Sequence, residues 1–332
     1  MWQEVLDILI EKAKSGVEIR LMYDDFGSLM TLPYKYERYL SQYGIKSCVF
    51  GKLVPIWSVL INNRDHRKIL VVDGKVGITG GINIADEYIN DYEKHGYWKD
   101  SSVIIRGESV WSLTVFFLSS WGYVNGVNED YTKYRFHQPD DSSDIKNMPQ
   151  SGLVLPYLDS PLDKEPVGQN VYLNIINRAE RYVYIETPYL VIDNEMMNAL
   201  CNAAKQGIDV RIVTPHIPDH WYVHAVSKSN YMQLIESKVK IYEFTPGFIH
   251  SKIFICDDKI SVVGTINMDY RSLFLHFEDA VFFYKSALIK DIYKDFMDIL
   301  DKSQEITLDW CRSTPWYRKL GRAILKVFAP LM

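Results

Sequence analysis

The sequence predicts an α/β protein of two homologous halves, each a mixed sheet flanked by helices, related by a pseudo-twofold axis. Two repeats carry that prediction. Residues 4–23, EVLDILIEKAKSGVEIRLMY, align without a gap to residues 195–214, EMMNALCNAAKQGIDVRIVT, with six of twenty positions identical: Glu4/Glu195, Leu9/Leu200, Ala13/Ala204, Lys14/Lys205, Gly16/Gly207 and Arg20/Arg211. Residues 66–84, HRKILVVDGKVGITGGINI, match residues 250–268, HSKIFICDDKISVVGTINM, at eight of nineteen positions. Two units recurring in the same order, this far apart, mean duplicated halves rather than a short-period solenoid. At 332 residues the chain has room for two cores of ordinary size.

Along the chain, the first unit reads as an amphipathic helix that stops at Gly16, followed by a β-branched strand, and the second repeats it around Gly207. Ahead of the second helix, RYVYIETPYLVIDN supplies a strand at about residues 181–187; ahead of Glu4 stand only Met-Trp-Gln. The partner strand of the first half is therefore expected to be missing, as if the chain began late relative to a complete two-half ancestor. In HRKILVVD a strand places His66 and Lys68 on one face about 7 Å apart, and Asp73-Gly74 forms the turn that ends it. QPDDSSDIKNMPQSG, residues 138–152, is poor in apolar residues and reads as the linker. The expected division is 1–140, 141–152 and 153–332, the last part ending in an amphipathic helix.

Composition narrows the function. A net charge of −5 argues against a broad grip on nucleic acid backbone. The four cysteines, Cys48, Cys201, Cys256 and Cys311, show no C-x-x-C spacing, so they read as reduced buried thiols inside a cell. No run of 18 apolar residues is present, and the N-terminus is acidic and helical in period, unlike a signal peptide.

The chemistry lies in the second repeat. Lysine, charged and donor-only, disfavours a metal at His66 or His250. It suits a phosphate, while a histidine can attack or carry a proton. Two such segments facing each other would offer one phosphodiester a nucleophile and a general acid. Asn83 and Asn267, in GGIN and GTIN, can donate to phosphoryl oxygens where charge develops. Asp73 and Asp257 complete the motifs and are expected to brace their turns more than to touch substrate.

Both halves meet the HxKxxxxD(x)6GxxN signature, and here the sequence resembles the phospholipase D superfamily. NNRDHRKILVVDG, GGINIADEY, HGYWKDSSVIIRGESV, GFIHSKIFICDD and NMDYRSLFLHFEDAVFFY are similar to its bacterial cardiolipin synthase branch. The resemblance implies phospholipase D-like halves and a catalytic set of His66, Lys68, Asp73, His250, Lys252 and Asp257. It implies no cofactor and no metal requirement, anionic phospholipid (phosphatidylglycerol) and a membrane surface as partners, and no nucleic acid. The implied reaction converts two phosphatidylglycerols to cardiolipin and glycerol through a phosphatidyl-histidine. His66 is the family's choice of nucleophile; sequence symmetry leaves that open. Two acids would cross between halves, Asp100 to orient His250 and Glu278 to orient His66.

Two alternatives stand beside the transferase: a phospholipase D or phosphodiesterase that resolves the intermediate with water, and a truncated copy that binds anionic lipid without turnover. The segment 30–61, aromatic and apolar, favours a lipid-lined channel. HIPDHWYVHAV, with His216, His220 and His224, reads as a channel loop bearing Trp221 and Tyr222 rather than a zinc site, since Pro218 interrupts it. Arg271 and Ser272 in DYRS are expected to support the second motif. In WYRKLGRAILKVFAPLM, Leu320, Ile324, Val327, Phe328 and Leu331 share a helical face beside Arg318, Arg322 and Lys326. That pattern fits an anionic membrane interface and equally a helix docked on the second half. The resemblance places the protein on the cell membrane, peripheral on its cytoplasmic side. Family members often begin with two transmembrane helices, and this sequence shows none.

Overall fold

The repeated helix–strand units form as the patterning predicts. In the computed structural model, which describes residues 1–52, 62–136 and 152–331, the helix Trp2–Lys14 ends before Gly16, whose φ of +89° only glycine adopts readily. It leads into β1 (Arg20–Asp24), which pairs in parallel with β2 (Lys46–Phe50). β3 (Ile69–Val72), β4 (Val76–Gly80) and β6 (Ser102–Arg106) form an antiparallel sheet in the order β3-β4-β6, and β5 (Tyr97–Lys99) precedes β6. The turn after β3 is the one Asp73-Gly74 predicts. Both residues are left-handed (φ 53° and 65°), and Lys75 N–H donates to the Val72 carbonyl at 2.9 Å, the two-residue geometry that follows the twist of a hairpin.

The second half contributes β7 (Leu153–Asp159), β8 (Tyr182–Glu186), β9 (Asp209–Pro215), β10 (Lys240–Phe244), β11 (Gly247–Ile249), β12 (Ile253–Cys256), β13 (Ile260–Gly264), β14 (Glu278–Tyr284) and β15 (Ser303–Ile306). Eight of these make one mixed sheet, ordered β15-β10-β9-β8-β12-β13-β14-β7. β8 is buried at every residue, parallel to β9 and antiparallel to β12. It joins the two parts of the sheet. The first half repeats those parts as β1-β2 and β3-β4-β6, but no strand among the described residues stands between β1 and β3, and its sheet is in two pieces. That break is where the repeat comparison predicts a missing strand.

One core layer lies between the large sheet and the helices Val167–Arg178, Asn194–Lys205 and Trp221–Glu236. The opposite face packs on the helix Leu288–Leu300 and on first-half residues Val103, Ile105, Val110 and Leu113. A parallel ribbon of β5 and β11 also crosses from one half to the other.

Two expectations change in detail. Residues 216–220 are a loop, but the helix Trp221–Glu236 begins directly after it and takes His224 with it. Pro218 lies ahead of the first turn, so it leaves the helix unbroken. The expected linker falls almost wholly outside the described residues, as do residues 53–61 of the aromatic segment.

Candidate active site

Each motif histidine sits just outside the sheet. β3 starts at Ile69 and β12 at Ile253, so His66–Lys68 and His250–Lys252 are extended chain ahead of their strands rather than strand residues. The cause is pairing across the molecule. His66 N–H donates to the Phe277 carbonyl at 2.9 Å, and His250 N–H donates to the Lys99 carbonyl at 2.7 Å. Each acceptor immediately precedes an acid of the opposite half. Backbone pairing thereby delivers Glu278 to His66, both carboxylate oxygens 2.9 Å from Nδ1, and Asp100 to His250, Oδ2 2.7 Å from Nδ1. The two acids that the resemblance names thus lie each against the histidine of the opposite half.

The two pairs differ in their surroundings. Glu278 is fully buried and accepts from the Thr265 hydroxyl. The position equivalent to Thr265, 184 residues earlier, is Gly81, and there Asp100 lies so close that an added Cβ would be 2.1 Å from its Oδ1. Only glycine admits the shorter acid. The side chain of His66 is 24% exposed and that of His250 8%, so His66 is the more accessible imidazole. Both lysines donate to the carbonyl of their own motif histidine, Lys68 to His66 at 2.6 Å, and Lys252 Nζ also lies 2.8 Å from His250 Nδ1 and 3.1 Å from Nε2.

Burial governs the charges. Desolvation pushes His66 down to about 3 and His250 down to about 4, with the neighbouring lysines adding to it and the acids opposing it. Lys252 is pushed down to about 7, again chiefly by burial. The fields of His66 and of its neighbour His276 overcome burial to hold Glu278 well below the usual carboxylate range, and Lys252 and His250 likewise lower Asp100. Burial thus works against charge on both imidazoles, while their carboxylate partners are favoured in the ionised form. An arriving phosphodiester anion would favour the charged forms of the lysines and of one histidine.

The other expected residues divide. Asn83 donates to the Tyr88 hydroxyl at 2.5 Å, and the Tyr88 ring meets His250 edge-on at 5.4 Å. Asn267 is buried, and its Oδ1 has no hydrogen-bond partner among the described residues. Asp257 is at the far end of β12, where its carboxylate accepts from the N–H groups of Glu180, Arg181 and Tyr182 at 2.7–2.9 Å and so secures the start of β8. Asp73 occupies the equivalent turn, with no counterpart of β8 beside it among the described residues. Both aspartates are turn residues, away from the histidines. Ser272 N–H donates to Asp269, the cap of the short helix Tyr270–Phe274, which fits the supporting role expected of DYRS.

Sequence reasoning missed Thr265, Tyr88 and His276. His276 Nδ1 is 3.6 Å from Glu278 Oε1, and its ring lies 5.7 Å from that of His66. A third histidine two residues before Glu278 was the available signal. His216, His220 and His224 form no metal-ligating group with one another among the described residues.

The family model described as "Cardiolipin synthase, PLD-like domain" matches residues 2–105 and 172–300. An uncharacterized protein of Streptococcus mutans is 47% identical over 334 residues, covering 100% of this chain and 70% of its own length. A cardiolipin synthase of Halalkalibacterium halodurans is 36% identical over 331 residues, 99% of this chain and 64% of its own. Cardiolipin synthase 1 of Staphylococcus aureus is 34% identical over 338 residues, 99% and 66%. The chain thus spans about two thirds of the length of these curated relatives. Among solved structures, the phosphatidylserine synthase of Haemophilus influenzae Rd KW20 aligns over 99% of this chain and 84% of its own, with a TM-score of 0.71 at 17% identity, which is a shared fold.

Proposed function

The chain belongs to the phospholipase D-like cardiolipin synthase family, and from that premise we propose that it is a phosphatidyltransferase making cardiolipin and glycerol from two phosphatidylglycerols. The observation that carries this reading is the pair of crossed His–carboxylate contacts, with Lys68 and Lys252 beside them.

His66, the more exposed histidine and held through Nδ1 by Glu278, attacks phosphorus with Nε2. His250 donates a proton to the departing glycerol oxygen, and the P–O bond breaks as the P–N bond forms. His250 then takes the proton from the hydroxyl of a second phosphatidylglycerol, whose oxygen displaces His66. Lys68, Lys252, Asn83 and Asn267 hold the phosphoryl oxygens. The two steps sum to two phosphatidylglycerols consumed and one cardiolipin and one glycerol formed.

The substrate lies in a bilayer, and the helix Trp316–Val327 is the contact we assign to it. Leu320, Ile324, Val327 and Phe328 are all more than half exposed. Arg322 lies over the Trp310 ring and Lys326 reaches Asn230 at 2.7 Å, so this helix docks through its basic side and turns its apolar side out. Docking on the second half is the reading its contacts show, and the exposed apolar side supports the membrane reading proposed here. No helix among the described residues is long and apolar enough to cross a membrane. On this reading the protein acts at the cytoplasmic membrane surface as a peripheral form.

Purified protein incubated with phosphatidylglycerol vesicles, with products followed by mass spectrometry, tests the proposal. Cardiolipin with equimolar glycerol supports it. Phosphatidic acid without cardiolipin replaces it with the hydrolase, and vesicle binding without any product replaces it with a non-catalytic lipid binder.

A further inference from the structure

His276 Nδ1 is buried without a hydrogen-bond partner among the described residues. Its 3.6 Å separation from Glu278 Oε1 is too long for a hydrogen bond. An orphaned ring nitrogen in a buried site calls for an explanation. His66 Nδ1 stands 2.9 Å from the same carboxylate, and one donor atom from each of His66, His276 and Glu278 lies within 4.8 Å of the others. Ligands held about 2.0–2.1 Å from a tetrahedral zinc are roughly 3.3 Å apart. The 2.9 and 3.6 Å separations bracket that edge.

We propose that His66, His276 and Glu278 form a binding site for a divalent transition ion of the zinc class, and that its occupancy switches off the reaction proposed above. Two histidines and one glutamate are a donor set zinc accepts, with a fourth position left for water. His66 is the most exposed of the three, its side chain 24% exposed against 14% for His276. The fully buried Glu278 supplies the negative charge, and the carboxylate of Asp269 is close enough to act on His276. Arg67 is taken up by Asp65 at 2.7 and 2.8 Å, and Lys68 and Lys252 are the further cations whose charge acts on Glu278.

The consequence for His66 is tautomeric. A metal on Nδ1 needs the lone pair there, so the single ring proton moves to Nε2, the atom that must attack phosphorus. The same ion occupies Glu278. Metal and reaction therefore exclude one another, with no redox change and no net proton release. This second half of the inference rests on the proposed transferase; the binding site does not.

Metal-free protein titrated with Co²⁺ reads the site without substrate. Tetrahedral Co²⁺ absorbs in the visible, and one equivalent per chain, displaced by Zn²⁺, is expected. His276→Asn and His66→Ala should each weaken binding by at least about tenfold, since even loss of a ligand's hydrogen-bond partner commonly costs 10–100-fold. His220→Ala, outside the ligand group, should keep it, and circular dichroism confirms that each variant is folded. Equal binding by His276→Asn and unaltered protein overturns the site. In the vesicle assay Zn²⁺ should inhibit, and His276→Asn should need at least about ten times more zinc to lose half of its own metal-free rate. Binding without inhibition overturns the switch. A protein with no activity in any condition that still binds Co²⁺ through His276 overturns the transferase reading and leaves the site standing.

Discussion

At the scale of single residues, the site rests on two imidazoles that neighbours from the opposite half hold in one tautomer. His66→Ala or His250→Ala should remove turnover almost wholly, and Glu278→Gln should lower kcat by about 10²- to 10⁴-fold by leaving the His66 tautomer unfixed. Initial rates on phosphatidylglycerol vesicles measure this, and a His250→Ala variant of near-normal rate contradicts the two-histidine mechanism. Lys252, held near 7, is charged below that pH and neutral above it. KM for the anionic lipid should therefore rise as pH goes from 6 to 8. His66, pushed to about 3, stays neutral across that range and adds no acid limb to the profile. The histidines and lysines were legible because duplication exposes them twice, whereas the crossing of Asp100 and Glu278 was legible only through the family resemblance. Thr265, Gly81 and His276 were not, since their roles arise from what packs against Glu278 and Asp100, and one strand's sequence says nothing of the chain lying across it.

At the scale of elements, the repeats placed the hairpins, the helix–strand units and β8 within a residue or so. The start of β3 and β12 was misplaced because backbone N–H groups of the motif histidines are claimed by the opposite half instead of a neighbouring strand. The duplicated aspartates make a contrasting pair. Asp257→Ala strips acceptors from three N–H groups at the start of β8, a cost of about 2–4 kcal/mol. Asp73→Ala gives up only a favourable left-handed residue, about 1 kcal/mol. Thermal unfolding should show a much larger drop in Tm for Asp257→Ala. Equal drops would mean that Asp73 also holds backbone groups.

At the scale of the whole molecule, the exposed apolar side of the helix Trp316–Val327 makes the proposed membrane contact a matter of surface, separable from stability. Ile324→Ser should lower partitioning onto anionic vesicles about tenfold, the loss of one buried aliphatic side chain, while Tm stays unchanged because Ile324 is 54% exposed. Vesicle co-sedimentation measures it. The pseudo-twofold arrangement has a consequence in time as well. His66 and its acid are 212 residues apart in sequence, and His250 and its acid 150. At a synthesis rate of 5–20 residues per second, the ribosome takes roughly 10 to 40 s to travel from the first histidine to its acid. A half-made chain carries one complete motif but no completed His–acid pair, so on the proposed mechanism a nascent protein stays chemically silent until its second half has folded onto the first.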